Sequence, residues 1–206
     1  MDATSTDGRV ERGNQTRRLV LRRTADLASV EGLGGLTIGR LATELSLSKS
    51  GVFALFGSKE ELQLATIRAA RRIFVDHVIE PAMRAGEGLA RLRRMCESWL
   101  VYSHDRVFPG GCFFVMVGTE FGNRPGAVHD AIAAARHEWV GFVEENVTAA
   151  VRAGELRGDT DVPQLAYELL ALTEGANGDS LLTGDMSVYG KARRAVELRI
   201  GQVTPD

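Results

Sequence analysis

Apolar residues recur every three or four positions in successive segments of this chain, which is the period of an amphipathic helix. Glycine and proline separate these segments, as at Gly57, Gly154 and Pro163, where helices are expected to end or begin. No segment alternates between apolar and polar residues over the length of a half-buried strand. The pattern therefore predicts an all-α fold of about nine helices, the first of them from Gln15 to Val30 behind a polar N-terminal tail.

The stretch from Thr37 to Leu62 predicts two short helices joined by a tight turn, with a third helix directly after them. Thr37, Ser48 and Ser58 suit the three N-caps because their hydroxyls accept otherwise unpaired N–H groups. Two short helices crossing at a sharp angle form a helix-turn-helix, whose second helix enters the DNA major groove. The predicted DNA-contacting residues face outward or start a helix in this stretch: Thr37, Ser48, Lys49, Ser50, Gly51, Phe53, Ala54 and Lys59.

The outward face of the predicted reading helix carries one charged side chain, that of Lys49, which can donate to guanine or to a phosphate. Ser48 and Ser50 can donate or accept hydrogen bonds. Thr37 and Lys59 lie at helix starts, where N–H groups and a cation suit phosphate. Because few polar groups here can read bases, we expect modest direct readout, with DNA shape supplying part of the specificity.

Two runs in this stretch, LSKSGVF at 47–53 and FGSKEEL at 56–62, make it similar to the DNA-binding domain of TetR-type (tetracycline-repressor-like) transcriptional regulators. The family often has tyrosine where Phe53 stands, and its hydroxyl reaches a phosphate. It often has polar residues where Ala54 and Leu55 stand. These departures remove polar contacts and keep the scaffold, so the resemblance implies the fold more firmly than it implies the base contacts.

The resemblance implies a DNA-binding domain over residues 1–57 and a regulatory, ligand-binding and dimerisation domain over residues 58–206. The helix beginning at Ser58 links the two domains in the family, so its tilt would couple ligand to DNA. A homodimer would place two reading helices in successive major grooves of a palindromic operator, roughly 34 Å apart or somewhat more. A small-molecule effector that favours a different spacing would release the DNA. The family supplies this repressor mechanism, and some relatives activate instead.

Aromatic residues and a few polar ones are concentrated between residues 74 and 139, where they predict an apolar effector pocket with polar anchors. The candidate ligand contacts are Phe74, His77, Cys96, Trp99, Tyr102, Phe108, Cys112, Phe113, Met116 and Glu120. Further members of the group are Met83, His104, Phe114, Phe121 and Trp139. Packing in the protein core is the competing interpretation for each. The aromatic content of residues 99–121 favours an apolar or aromatic effector.

The last two long helices form the dimer contact in the family that this chain resembles. The predicted four-helix contact with the partner uses Leu165, Leu169, Leu172, Ala176, Ala192, Ala195 and Val196. Some of these residues must also fill the subunit's own core, and the sequence does not divide them between the two uses.

The 206 residues are 44% hydrophobic and 25% charged, which is ordinary for a globular protein. The net charge of −2 hides an asymmetry: residues 9–72 hold 12 Lys/Arg against 6 Asp/Glu, whereas residues 73–206 hold 13 against 19. A basic front and an acidic remainder fit a phosphate-facing domain joined to one that does not touch DNA. No apolar run approaches about 20 residues and no signal-peptide core is present, so we expect a cytoplasmic protein.

Two other classes of function stay open: a helical protein that binds a small molecule or a partner without DNA, and a cysteine-dependent enzyme. Cys112 follows a Gly-Gly turn and could act with His104, but the sequence supplies no oxyanion-hole motif, orienting group or cofactor loop. Cys96 and Cys112 could form a redox pair, although small buried residues are the commoner case. The four histidines lack metal-ligand spacing, so we expect no metal, no cofactor and no enzymatic activity.

Overall fold

The computed structural model describes residues 3–205, with side chains from residue 11 onward, and this part of the chain forms nine helices. They are α1 (Ala3–Glu31), α2 (Ile38–Glu44), α3 (Lys49–Phe56), α4 (Lys59–Phe74, with its continuation to Met83), α5 (Leu89–His104), α6 (Phe113–Phe121), α7 (Ala127–Arg152), α8 (Val162–Thr183) and α9 (Val188–Gly201). Among the described residues there is no strand, only an isolated bridge between Phe108 and Gly111. The predicted all-α fold is confirmed. No described helix combines the length and apolarity needed to cross a membrane.

The first helix extends further than the sequence pattern indicates. α1 begins at Ala3, well before the predicted start at Gln15, so the polar tail expected there is helical from residue 3 onward. Residues 1 and 2 lie outside the described part of the chain. The segment contains no proline, and a helix already nucleated gains one hydrogen bond for each residue that it adds. Helix formation here needs no apolar face of its own, which is why the apolar pattern missed it.

The boundaries of the central helices follow from the predicted caps. The hydroxyl of Thr37 accepts the Arg40 N–H at 3.1 Å, and the hydroxyl of Ser48 accepts the Gly51 N–H at 3.0 Å. Ser58 does the same at the start of α4. Each cap satisfies one of the N–H groups that a helix start leaves unpaired. These interactions fix where α2, α3 and α4 begin, and therefore which face of α3 points outward.

The second half of α4 departs from regular α-helical hydrogen bonding. Val75–Ile79 is π-helical, and Glu80–Met83 returns to α-helical geometry. The N–H of Glu80 donates to the carbonyl of Val75, five residues earlier. Pro81 explains the change, because proline lacks an N–H and its ring would clash with the carbonyl four residues before it. The helix therefore widens locally and continues, instead of ending where the proline occurs.

The buried side chains form two clusters, and the larger one extends from the predicted helix-turn-helix into the helices that follow it. It contains Leu41 and Val52 of the helix-turn-helix together with Phe74, Trp99 and Phe113. The smaller cluster lies among α5, α7, α8 and α9. Close-packed interiors transmit displacement from one element to the next. A movement of the later helices is therefore passed on to α1–α4 through this shared core.

Candidate DNA-reading face and effector cavity

The predicted reading helix α3 exposes the residues that the sequence assigns to DNA contact. Ser48, Lys49, Ser50, Gly51, Phe53 and Ala54 are all exposed. On the opposite side Val52 and Phe56 are buried and hold the helix on the core. The side chain of Phe53 is the large apolar group on this face, with 54% of its surface exposed. The structure thus presents a small surface with polar residues, including Lys49, at the N-terminal end of α3 and apolar residues further along the helix.

The end of α3 is fastened to α1 by Arg17. Its guanidinium lies 4.5 Å from the centre of the Phe56 ring and donates to the carbonyl of Leu55. A cation over an aromatic face and a charged donor on an unpaired helix-end carbonyl are both favourable. The orientation of the reading helix is therefore set by α1 as well as by the turn before it.

Two of the predicted phosphate contacts are partly engaged within the chain. The Thr37 hydroxyl accepts the N–H of Arg40, and the ammonium of Lys59 donates to the carbonyl of Gly34. Lys59 nevertheless remains exposed. Its assignment to phosphate stays a prediction, and its contact with Gly34 shows a second use for the same side chain.

A cavity of about 650 Å³ lies between α4, α6 and α7, with single contributions from α5 and α8. Its walls are mainly apolar: Phe74, Val75, Ile79, Trp99, Phe114, Phe121, Ile132, Trp139 and Phe142. The polar lining consists of Arg71, Thr119, His129, Arg136, Glu138 and Glu174. This volume and this mixture of walls are those of a small-molecule site.

Aromatic rings form one wall of the cavity around Phe74. Its ring meets those of Tyr102, Phe114 and Trp139 edge to face, with centroids 5.6, 6.0 and 5.1 Å apart. Trp139 stacks on Phe142 at 6.1 Å. Edge-to-face and offset contacts are the arrangements that aromatic rings prefer. The aromatic side chains of this wall are therefore packed against one another, with Tyr102 behind Phe74 and outside the lining.

The charged side chains at the cavity are paired between helices. Arg71 of α4 donates to Glu138 of α7 from its Nε at 2.9 Å, and Arg136 of α7 pairs with Glu174 of α8. Each arginine thus has a carboxylate beside it, so these four residues add no net charge to the lining. A neutral apolar ligand fits such walls better than an ion does, because burying an uncompensated charge is costly.

Three of the ten predicted ligand contacts, Phe74, Trp99 and Cys112, line the cavity, and so do the further candidates Phe114, Phe121 and Trp139. The other seven do not line the cavity: His77, Cys96, Tyr102, Phe108, Phe113, Met116 and Glu120. Tyr102, Phe108 and Phe113 are buried in the larger core cluster and Cys96 in the smaller one. The Nδ1 of His77 lies 2.8 Å from the carbonyl oxygen of Ile73, within its own helix. Glu120 binds backbone groups near α2.

The sequence missed the polar half of the lining. Arg71, Arg136, Glu138 and Glu174 look like ordinary solvated helix residues in the sequence, because the partner of each lies on another helix. The α7 stripe through Ile132 and Trp139 did signal burial, but an apolar stripe does not distinguish a core from a cavity wall.

Both cysteines are reduced and buried, in different core clusters. Burial raises the pKa of Cys112 to about 11 and that of Cys96 to about 12. Thiols with such pKa values stay protonated at neutral pH, whereas nucleophilic catalysis needs the thiolate. His104 is exposed, and its Nδ1 lies 2.7 Å from Asp105 Oδ1. The environment of Cys112 is that of a packed wall residue.

The predicted dimer residues need a similar correction. Leu165, Leu169, Ala176, Ala192 and Val196 are at most 7% exposed in the single chain, because they fill the subunit's own core. Leu172 and Ala195 are half-buried. The outward face of α8 carries a different stripe, with α9 adding one residue: Tyr167, Ala171, Gly175, Gly178, Leu182 and Leu198. Leu182 and Leu198 are 87% and 70% exposed.

Solved structures with the same architecture are transcriptional regulators. A TetR regulator from Chloroflexus aurantiacus shares 22% identity at a TM-score of 0.87, covering 94% of this chain and 98% of its own. A TetR-family regulator from Cytophaga hutchinsonii shares 20% at 0.81, covering 95% and 98%. AibR, solved with isovaleryl coenzyme A and operator DNA, shares 18% at 0.67, covering 92% and 98%. A search of curated proteins gives no match.

At these identities the likeness shows the fold. The family follows from the sequence itself, because the sequence model described as "Tetracyclin repressor-like, C-terminal domain" matches residues 88–196, more than half of the chain. That match covers the regulatory helices, while the capped helix-turn-helix occupies the segment before them. The chain therefore belongs to the tetracycline-repressor-like (TetR) family of transcriptional regulators.

Proposed function

We propose that this protein is a homodimeric, cytoplasmic repressor that leaves a palindromic operator when a small apolar or aromatic molecule fills the cavity. The observation that carries the proposal is the course of α4. This helix starts at the Ser58 cap directly after the reading helix, and further along it lines the cavity through Arg71, Phe74 and Val75. One helix thus connects the DNA-reading element with the ligand site. We divide the chain at this helix, into residues 1–57 and 58–206.

The surface around α3 supports DNA as the partner. Residues 9–72 carry twice as many basic as acidic side chains, 12 against 6, and phosphate contacts supply much of the affinity of DNA-binding proteins. The exposed face of α3 is narrow enough for close approach to the groove because Ser50, Gly51 and Ala54 are small. Phe53 and Ala54 offer apolar contacts to thymine methyl groups, and Lys49 offers a donor to guanine or phosphate.

The outward stripe on α8 supports the homodimer. Tyr167, Ala171, Gly175, Gly178 and Leu182 follow one another at helical spacing and are all exposed. The small residues in the middle let a partner helix approach closely, and the large ones at the ends supply apolar area. A second copy that covers this face gives the two-fold symmetry that a palindrome requires.

The cavity supports an effector of limited polarity. Its walls are mainly aromatic and aliphatic, and its four strongly charged residues are paired with one another. AibR, solved in complex with isovaleryl coenzyme A and operator DNA, is a protein of this fold that binds both a small molecule and an operator, although its ligand is far more polar than the one proposed here. Regulators of this family generally are not enzymes, and the buried, protonated thiol of Cys112 is consistent with a protein that does not use this cysteine as a nucleophile.

Selection of genomic DNA fragments by the purified protein, at two salt concentrations, tests the proposal. We expect a palindromic motif whose enrichment falls with salt, because counterion release weakens phosphate contacts. The neighbouring genes then suggest the effector. If no fragment is enriched at either concentration, the result favours the alternative function, that of a helical protein that binds a ligand in the cavity and does not bind DNA.

A further inference from the structure

The loop between α1 and α2 is held by side chains from two helices of the regulatory part. Glu120 of α6 accepts the N–H of Leu33 at 2.6 Å and that of Gly34 at 2.9 Å, using one carboxylate oxygen for each. Gln63 and Lys59 of α4 donate to the carbonyls of the same two residues. All four backbone polar groups of this dipeptide are therefore bound by side chains.

The glycines around the dipeptide make room for the carboxylate. A Cβ at Gly34 would lie 2.4 Å from one oxygen of Glu120, and a Cβ at Gly32 would lie 2.6 Å from the other. Gly32 also has a φ of +84°, which favours glycine. The Leu33 side chain is fully buried in the core cluster that contains Leu41 of α2. The loop thus fits the carboxylate closely and is fixed to α2 by packing.

The position of Glu120 connects this contact to the cavity. Its neighbours in sequence, Thr119 and Phe121, both line the cavity, as does Gly118. The side chain of Glu120 is 17% exposed and its second partner is Arg124, one turn later, at 3.2 Å. A ligand that displaces α6 must therefore displace the acceptor of the Leu33 and Gly34 N–H groups.

We propose that Glu120 is a positioning residue that couples the cavity to the reading helix by holding the Leu33–Gly34 loop, which fixes the start of α2. The inference rests on the proposed function of the cavity. It assigns the coupling to α6 acting on the α1–α2 loop, in addition to the tilt of α4. Charge-assisted hydrogen bonds to backbone N–H groups are among the stronger polar contacts, and two from one carboxylate set direction as well as distance.

The test compares Glu120→Gln with Glu155→Gln. Glutamine replaces one acceptor oxygen with an NH2 group, so it cannot give each of the two N–H groups an oxygen of its own as Glu120 does. Glu155 is a matched control, because it accepts the Leu89 N–H at 2.7 Å beside Gly88, in the regulatory part. Gly118→Phe serves as the probe that fills the cavity. Gly118 lines the cavity, and the nearest atom to a Cβ there is 3.9 Å away, so the added Cβ itself meets no clash.

Operator affinity is measured by fluorescence anisotropy for each variant with and without Gly118→Phe. We expect the filled cavity to weaken operator binding by about tenfold in the otherwise native chain and in Glu155→Gln, within the usual range of allosteric coupling. In Glu120→Gln the same change is expected to weaken binding by only about threefold, because the Glu120 contact is gone and the tilt of α4 alone remains. Hydrogen exchange at the Leu33 and Gly34 amides should also accelerate in Glu120→Gln and not in the control.

Three results would overturn the inference, and they are distinguishable. An undiminished tenfold effect in Glu120→Gln refutes the role of Glu120 and leaves the proposed function intact. If Gly118→Phe leaves operator affinity unchanged in the otherwise native chain, control of DNA binding by the cavity is refuted, and the coupling role of Glu120 is refuted with it. Equal loss of coupling in both glutamine variants indicates general loosening. If Glu120→Gln does not fold, Glu120→Asp, which keeps the charge on a shorter side chain, is expected to show the same loss.

Discussion

Replacing Asn177 with alanine should destabilise the protein by about 2–4 kcal/mol. Asn177 Oδ1 is buried and accepts both the Ser103 hydroxyl at 2.8 Å and the Cys112 N–H at 3.0 Å. The Ser103 hydroxyl has a second partner in Tyr189, at 2.8 Å, so it can reorient. The Cys112 N–H has no second acceptor among the described residues, and a buried donor left unpaired costs about 1–3 kcal/mol. The cavity left by the missing side-chain atoms adds about 1 kcal/mol.

Urea denaturation at one fixed protein concentration measures this loss. Both tryptophans of the chain, Trp99 and Trp139, line the cavity, so fluorescence reports on the wall that Cys112 belongs to. Ser98→Ala is the matched control, because Ser98 Oγ is buried and has no partner among the described residues. Removing it should leave stability unchanged or slightly higher. A loss below about 0.5 kcal/mol for Asn177→Ala, or a larger loss for Ser98→Ala, would refute the reasoning.

Four further predictions follow from the reading face, the dimer face and the buried thiol. Lys49→Ala should weaken operator binding by about tenfold, measured by anisotropy. If Lys49 contacts a phosphate, the slope of log K against log salt should also be smaller by about one in this variant than in the native chain. Deoxyuridine in place of thymidine in the half-site should weaken the native chain by a few-fold and Phe53→Ser much less, because uracil lacks the methyl group; equal losses would exclude Phe53 as the contact. Leu182→Glu should shift sedimentation from dimer to monomer, whereas Met83→Glu, also exposed but outside the α8–α9 face, should not. Burial raises the pKa of the Cys112 thiol from 9.0 to about 11. The folded state therefore holds this proton more tightly than the unfolded state, and the stability that the protonated thiol contributes is complete below pH 9 and lost as pH rises toward 11. Cys112→Ala should make the free energy of unfolding fall less steeply over this range in pH-dependent urea titrations.

The local part of the fold could be predicted from the sequence because it depends on neighbouring residues. The caps at Thr37, Ser48 and Ser58 and the stop at Gly57 are short-range hydrogen bonds and backbone preferences, and the structure confirms them. Proline also acts locally, by breaking the α-helical hydrogen-bond pattern before it. At Pro81 the result is a π-helical segment and not the end of the helix, because Phe74 and Val78 on this part of α4 stay packed in the core.

The long-range part could not be predicted, since a helical stripe records burial without recording what covers it. Leu165 and Leu169 look like dimer contacts and turn out to fill the subunit's own core, whereas the middle of the exposed stripe consists of small residues that carry little apolar signal. Glu120 looked like a polar anchor for a ligand, and its partners are backbone groups more than eighty residues earlier in the chain.

DNA reading by a dimer is tested by binding the purified chain to its selected palindrome and to a scrambled duplex of equal length, across a range of salt. We expect two chains to bind each palindrome, the palindrome to be preferred at least about a hundredfold, and log K to fall linearly with log salt. Equal affinity for the two duplexes, or binding that does not change with salt, would contradict a DNA-reading regulator.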